Sequence, residues 1–498
     1  MLSIPEGDLL SALERGERAP LLRWLIADTH SPVTAFHALR QLPAVVLLES
    51  VEGGERWGRY SVIGVRPQRV LFWDREGWVH EEREGKIFHH PPESPPLSTL
   101  RKIINQCPFF RPPGELPRFL GGFVGFVGYG LISRIEQKVP DRKPESLPFP
   151  EAFFYELDEA VLFDNVRLAV ALLKVLHPDP TRRPEEILAE GEERLAELAE
   201  HLKHPHPLPP LAISSGEPLP PFEPMEEKGR FLRAVADARE AIRAGEAIQV
   251  VLSQRFKAGF TGDPFLLYRS LRIVNPSPYL FYFSTPRGDL IGSSPEILVR
   301  LEGNIATLRP IAGTRRRGRT PEEDDALAEE LRNDPKEISE HVMLVDLGRN
   351  DLGKVALPGR VKLDEKLIIE RYSHVMHLVS QVSAPLQQGL DFLDLFLATF
   401  PAGTVTGAPK IRAMQLIEEL ERIRRGPYAG ALGYVSYDGN MDLCIIIRTL
   451  FSAGGELIAQ TGAGVVADSN PEREYEETLN KARGLFVAYK LLEEGLSA

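Results

Sequence analysis

The stretch Thr461 to Lys481, TGAGVVADSNPEREYEETLNK, decides between two architectures. Gly462-Ala463-Gly464-Val465-Val466-Ala467 satisfies the G-x-G-x-x-A spacing of a dinucleotide-binding loop and follows a strand-like run, ELIAQT. Such a loop feeds straight into a helix whose N-terminal amides meet a pyrophosphate. Here Asp468-Ser469-Asn470-Pro471 intervenes, so the helix starts late. The segment reads instead as a glycine turn whose backbone N–H groups approach some other anion. A doubly wound parallel sheet loses its best support. After the turn comes an amphipathic helix, with Asn470 as its cap and Pro471 in its first turn. Tyr475, Leu479, Ala482 and Phe486 form its apolar stripe, and Glu474, Glu477 and Lys481 an adjacent polar face.

An earlier segment repeats the plan. NDPKEISEHVMLV (Asn333 to Val345) opens on a cap candidate and a proline, carries Ile338, Val342 and Val345 as a buried stripe, and places Glu337 and Glu340 three apart on another face. Two carboxylate pairs without His or Cys suit a hard cation such as Mg²⁺, which binds a few carboxylate oxygens and shares its other positions with water and an anionic substrate. For either helix alone, a solvated face accounts for the same pattern, and periodicity does not say that the two helices meet. Between them, GTVTGAPK (Gly403 to Lys410) has the wrong glycine spacing for a phosphate-binding P-loop. It does lead into a helix with Pro409 at its first position and Ile411, Met414, Leu416, Ile417 and Leu420 facing inward, so its amides and hydroxyls sit at a helix N-terminus.

Around these segments the composition excludes several classes. The 498 residues carry 59 Lys+Arg against 71 Asp+Glu, a formal charge of −12, with no basic cluster beyond Arg315-Arg316-Arg317 and Arg319, which argues against nucleic acid as a partner. Two distant cysteines, Cys107 and Cys444, offer neither a disulfide framework nor a zinc knuckle, and neither sits in a nucleophile elbow. No apolar run approaches a membrane span, and the acidic N-terminus lacks the pattern of a signal peptide, so a cytoplasmic location is expected. Eight of the 42 prolines fall between Pro205 and Pro224 and mark a linker, 204–224, between an N-terminal part, 1–203, and a C-terminal part, 225–498. The N-terminal part alternates β-like runs (VVLLES, RYSVIGV, RVLFWD, GWVHEE, KIFHH, EAVLFD, RLAVALL) with turns and closes on a helix from Pro184 to Lys203. Beyond the linker, helices and strands mix without a repeat or β-α-β-α alternation, which gives an α+β class.

Ordered motifs then carry a resemblance. SSPEILVR (Ser293 to Arg300), RPIAGTRRRG (Arg309 to Gly318), EHVMLVDLGRNDLG (Glu340 to Gly353), FPAGTVTGAPK (Phe400 to Lys410), GPYAGALGY (Gly426 to Tyr434), IIIRT (Ile445 to Thr449) and the opening stretch resemble the chorismate-utilising enzymes. VLLES (Val46 to Ser50), GRYSVIG (Gly58 to Gly64) and NPSPYLFYF (Asn275 to Phe283) are similar to the large subunits of anthranilate synthase. The resemblance implies two interleaved α/β domains around a β-sandwich core with outer helices, so the linker would not separate independent units. It implies formation of anthranilate and pyruvate from chorismate and ammonia, the first step of tryptophan biosynthesis. Mg²⁺ would be held by Glu340 and Glu477, with Glu337 and Glu474 ordering its waters. Glu296 would protonate the leaving 4-hydroxyl, its pKa raised by the apolar flank Ile297-Leu298-Val299; His377 and Thr404 would complete the catalytic set. Gly313, Thr314, Tyr428, Arg448, the Gly462-Ala463-Gly464 amides and Lys481 would bind substrate; His341 and His374 are left as structural. Glu49, Ser50, Asn275, Ser277, Pro278, Tyr279 and Leu280 match a site for L-tryptophan as feedback inhibitor. The sequence offers no nucleophilic cysteine, so glutamine hydrolysis would fall to another polypeptide, and the resemblance implies a separate glutaminase subunit in a heterotetramer. Gln249, where water-using relatives carry lysine, favours ammonia as nucleophile, and Ala312 argues against the alternative of an aminodeoxychorismate synthase. A catalytically silent tryptophan-sensing protein is the remaining alternative, and the retained acidic and basic residues speak against it.

Overall fold

The apolar runs become strands of two large antiparallel sheets. The structure, a computed structural model, describes residues 4–494 apart from 27–28, 51–57, 145–146, 204–207, 209–210, 212–219 and 373–374. Most of the proline-rich linker and His374 thus lie outside the described residues. One sheet runs Ala19–Ile26, Ala169–Leu176, Glu159–Asp164, Tyr60–Val65, Ala44–Glu49, Tyr279–Thr285, Gly288–Ser294, Thr449–Ala453, Glu456–Val465, Gln249–Gly259, Glu223–Pro224, with Gly407–Ala408 also paired to Gln249–Gly259. The other runs Ile311–Arg316, Val375–Pro385, Ile305–Leu308, Ile297–Glu302, Met441–Ile445, Ala431–Ser436, Gly122–Val127, Ala152–Leu157, Arg69–Trp73, Val79–Arg83, Lys86–His90, with Lys362–Arg371 also on Val375–Pro385. Each sheet takes one end from the N-terminal half and the other from the C-terminal half. The seams are Ala44–Glu49 on Tyr279–Thr285, with Glu49 opposite Leu280, and Gly122–Val127 on Ala431–Ser436, with Val127 opposite Ala431. The interleaved α+β architecture is thus as expected.

The main core lies between the sheets, where Phe283 meets Phe126 edge-on at 5.9 Å and Phe153 at 6.0 Å. A second core sits under outer helices, with Leu195 and Leu198 of Pro184–Lys203, Leu271 of Pro264–Val274 and Ala488 of Pro471–Glu494 fully buried against the first sheet. Among the described residues no helix is long and apolar enough to cross a membrane.

Several local expectations change. GFVGFV (Gly122–Val127) and AFFYEL (Ala152–Leu157) are strands that pattern reading passes over, because both faces are buried and no polar alternation marks them. Gly462-Ala463-Gly464 is not a turn: it belongs to the strand Glu456–Val465 and pairs with Ser253, Leu252 and Val251. Pro409 is the N-cap rather than the first residue of the helix Lys410–Leu420, with extended backbone at φ −62°, ψ 139°. Val342 and Ile411, read as buried, are 42% and 38% exposed; the Pro335–Gly353 helix keeps Val345 of the expected stripe and otherwise rests on His341, Gly348 and Leu352.

Candidate active site

Two helices, four strands and the loops between them line a cavity of about 570 Å³. The Pro335–Gly353 helix begins where the Asp334 carboxylate accepts from the N–H groups of Lys336 and Glu337, which fixes its first turn and sends Glu337 and Glu340 into the cavity. The Pro471–Glu494 helix begins where Asn470 Oδ1 accepts from Arg473 N–H, and it lines the cavity with Glu474, Glu477 and Lys481. The two acidic faces therefore do meet. Glu340 is raised from its ordinary value by burial first, and then by the nearby carboxylates Glu337 and Glu477; Glu474 is raised by burial and by Glu477. Lys336 approaches Glu340 at 3.7 Å and Lys481 pairs with Glu477 at 2.7 Å, so each face holds a resident cation.

Among the described residues no three His, Cys, Asp or Glu side chains converge closely enough to cage a metal. The donor set suits the other way of binding a divalent ion: a hard cation held by one or two carboxylates, with the rest supplied by water and substrate. Acidic groups that repel each other across an open space fit such an ion; a thiolate or imidazole metal they do not.

Glu296 sits just before the strand Ile297–Glu302, and its backbone carbonyl accepts from Ile445 N–H at 3.0 Å. Its carboxyl is pushed up to about 8, chiefly by burial, with Thr404 and Lys481 pulling the other way. Behind it, Ile297, Leu298, Leu344, Leu347 and Ile445 supply apolar wall, much of it from segments distant in sequence. The Thr404 hydroxyl faces this region beside the Glu296 carboxyl. His377 Nδ1 lies 2.9 Å from the Gly313 carbonyl and 3.1 Å from Thr314 Oγ1. With Nδ1–H donating to that carbonyl, Nε2 is the lone-pair nitrogen of a neutral ring, and burial holds the imidazole below its ordinary value. Gly313 adopts φ +66°, and a Cβ there would meet Glu337 Oε2 at 3.0 Å.

Arg448 is held at φ +52°, a left-handed conformation that an arginine adopts at a cost. Its Nη1 donates to the Lys481 carbonyl at 2.6 Å, and burial lowers its pKa. Lys481 Nζ donates to the Gly462 carbonyl at 2.9 Å. Gly462 and Gly464 face the cavity, whereas Ala463, on the alternate side of the strand, does not line it. Tyr428 is buried, with a phenol pushed up to about 12, hence a hydrogen-bond donor at any working pH. Gln249 and Ala312 also line the space. Sequence reasoning did not single out Lys336, Gln460 or Asn480, which share it; Lys336 and Asn480 lie four and three residues from Glu340 and Glu477, a spacing that puts them on the same faces.

A second pocket opens where the halves meet, lined by Glu49, Ser50, Pro278, Tyr279 and Leu280 together with Arg118, Tyr434 and Asp442. Glu49 is buried and accepts from Tyr268 Oη at 2.7 Å and from Arg272 Nε and Nη2 at 2.8 and 2.7 Å. Tyr279 Oη donates to Asp442 at 2.9 Å. Asn275 and Ser277 do not line the pocket; they fasten the preceding turn through Ser293, Ser277 Oγ lying 2.9 Å from Ser293 Oγ.

Residues 61–486 match the family described as chorismate binding enzyme. The chain belongs to that family. Within it, the chain is 45% identical to anthranilate synthase component 1 of Thermus thermophilus, over 96% of this chain and 99% of that one, and 44% identical to the same component of Pseudomonas putida, over 96% of each. It therefore belongs with the anthranilate synthase component 1 proteins. The crystal structure of anthranilate synthase component I from Streptococcus pneumoniae superposes with a TM-score of 0.76 at 37% identity, covering 88% of this chain and 95% of that one. The isochorismate synthase MenF from Escherichia coli shares the fold, with a TM-score of 0.70 at 19% identity over 98% of this chain and all of that one.

Proposed function

We propose that this protein converts chorismate and ammonia to anthranilate and pyruvate. The observation that carries this reading is one cavity that gathers a proton-holding Glu296, two facing carboxylate pairs, and the cations Arg448 and Lys481 from four separate segments. Arg448 offers a planar fork to one substrate carboxylate, and Lys481 a point charge beside it. Glu296, protonated below about 8, gives its proton to the departing 4-hydroxyl, which leaves as water while ammonia bonds to the ring. Gln249 has no titratable group with which to take a proton from water, so it supports a nucleophile that is already basic. The aminated ring then loses its enolpyruvyl group as pyruvate and becomes aromatic. His377, whose Nδ1 is engaged by the Gly313 carbonyl, would take or hold a proton on Nε2 during that loss. Glu340 and Glu477 would hold Mg²⁺, and Glu337 and Glu474 its waters; when bound, the ion supplies positive charge to the substrate's ring carboxylate.

The rest of the reading extends the resemblance carried by the sequence motifs. A glutaminase component supplies ammonia, in a heterotetramer of two large and two small subunits, in the cytoplasm. L-Tryptophan occupies the pocket lined by Glu49, Ser50, Pro278, Tyr279 and Leu280, and favours a less active arrangement of the halves.

The test is direct. The purified protein, chorismate, Mg²⁺ and ammonium at mildly alkaline pH should generate anthranilate fluorescence, which EDTA, Glu340→Gln or Glu477→Gln should abolish. Absence of fluorescent product, with or without a glutaminase subunit, would sink the reading, and aminodeoxychorismate as product would replace it. Tryptophan should raise the melting temperature and lower the rate.

A further inference from the structure

Beneath the cavity wall lies a buried ion pair that contacts no cavity space itself. Arg425 is 2% exposed. Its Nη1 donates to the Val405 carbonyl and its Nη2 to the Val251 carbonyl, each at 2.7 Å; its Nε and Nη2 donate to the two oxygens of Glu421 at 2.9 and 2.6 Å. The guanidinium lies 4.8 Å from the ring centre of Tyr129 and 5.6 Å from that of Tyr428. Val251, Val405 and Tyr428 all line the cavity, and they come from three segments that do not otherwise share a strand or helix. Glu421 extends the clamp to a fourth wall. Its Oε1 accepts from Ser253 N–H and Oγ, both at 2.8 Å, and Ser253 Oγ accepts from Gln460 Nε2 at 2.9 Å, Gln460 being another lining residue.

Because Glu421 neutralises the guanidinium at hydrogen-bond distance, the pair adds little net field to the cavity. Its contribution is geometry: a planar fork satisfies two carbonyls and one carboxylate at once, in directions that a lysine ammonium does not reproduce. The Tyr428 hydroxyl in turn lies so close to Gly462 that a Cβ there would sit 2.7 Å from it. We propose that Arg425 is a positioning residue of the reaction, which through its fork on Val251 and Val405 and its contact with the Tyr428 ring sets the Tyr428 hydroxyl against the Gly462 edge, where chorismate's carboxylate binds. The proposal rests on the reading of the cavity as a chorismate site.

Its test uses Arg425→Lys, which keeps the charge and loses the fork. The variant should keep its melting transition, weaken chorismate binding by calorimetry about tenfold or more, and leave the KM for ammonium unchanged, since nothing on the nucleophile's side has moved. In a double-mutant cycle with Tyr428→Phe the losses should fall well short of multiplying, because both act at one hydroxyl. Should Arg425→Lys fail to fold, Glu421→Gln carries the same test: it leaves the guanidinium in place, removes one arm that fixes it, and should weaken chorismate binding several-fold. Unchanged chorismate affinity in the folded variant, or losses that multiply fully with Tyr428→Phe, would overturn the proposal. A native protein that binds chorismate but yields no anthranilate would remove the proposed reaction alone, and the affinity measurements would still decide on Arg425. A native protein that does not bind chorismate would remove both.

Discussion

A carboxyl that delivers a proton near neutral pH has to be shielded from water, and Glu296 is shielded by neighbours drawn from four distant segments. Its pKa of about 8 makes two predictions in one measurement series. Catalysis that needs the acid form should decline as pH rises through about 8, while free ammonia becomes scarcer as pH falls, so the rate should peak close to that value. Glu296→Gln should lose about 10²- to 10⁴-fold in kcat and with it the alkaline limb. The stability effect has the opposite sign. The folded carboxyl holds its proton more tightly than the unfolded one, so its contribution to stability is fully present below the ordinary Glu value and is lost as pH climbs through about 8, at about 1.4 kcal/mol per unit. Glu296→Gln should therefore melt above the native protein at pH 8 and together with it at pH 4. Equal melting at pH 8 would show that the carboxyl is not buried as described. The sequence motif names this glutamate, yet only the fold reveals the apolar wall: Leu344, Leu347 and Ile445 cannot be read from SSPEILVR.

At the scale of elements, the strand Glu456–Val465 shows what sequence reading captured and what it missed. The sequence reads these glycines as a turn whose amides approach an anion, whereas the backbone there stays extended. The reason is physical: glycine inside a strand is disfavoured by entropy, so it signals a turn unless something presses on the strand from outside. Here the pressing groups are Tyr428 Oη and the Leu252 carbonyl, which a Cβ at Gly462 would meet at 2.7 and 2.9 Å. Gly462→Ala should accordingly displace the tyrosine or spread the strand pair, raising the KM for chorismate by about tenfold or more in steady-state assays. An unchanged KM would mean that this edge is remote from the bound substrate. The two acidic helices were legible for a different reason. Cap, first-turn proline and i, i+3 carboxylates are local signals, and they group Glu337, Glu340, Glu474 and Glu477 on the helix faces that line the cavity. That the faces meet is a long-range fact, encoded in the pairing of sheets rather than in either helix.

Over the whole molecule, the proline-rich linker suggests a place to cut, and the sheets forbid it. The N-terminal half taken alone would expose the edge of Ala44–Glu49, which in the intact protein pairs with Tyr279–Thr285, and the edge of Gly122–Val127, which pairs with Ala431–Ser436. It would also strip Phe126 and Phe153 of their contact with Phe283 in the inter-sheet core. Unpaired edges and an open apolar face of that kind aggregate. Because both cores span both halves, the protein should unfold in a single calorimetric transition despite its length, and tryptophan, on the proposed binding at the seam, should shift that transition as a whole. Residues 1–203 and 225–498 expressed separately should be insoluble or lack a melting transition, while their co-expression should restore a folded, chorismate-binding complex, since the linker contributes no strand to either seam. A 225–498 fragment that melted cooperatively and bound chorismate by itself would show that the catalytic half folds alone. The pocket at the seam would then be an interface between two stable units rather than part of one.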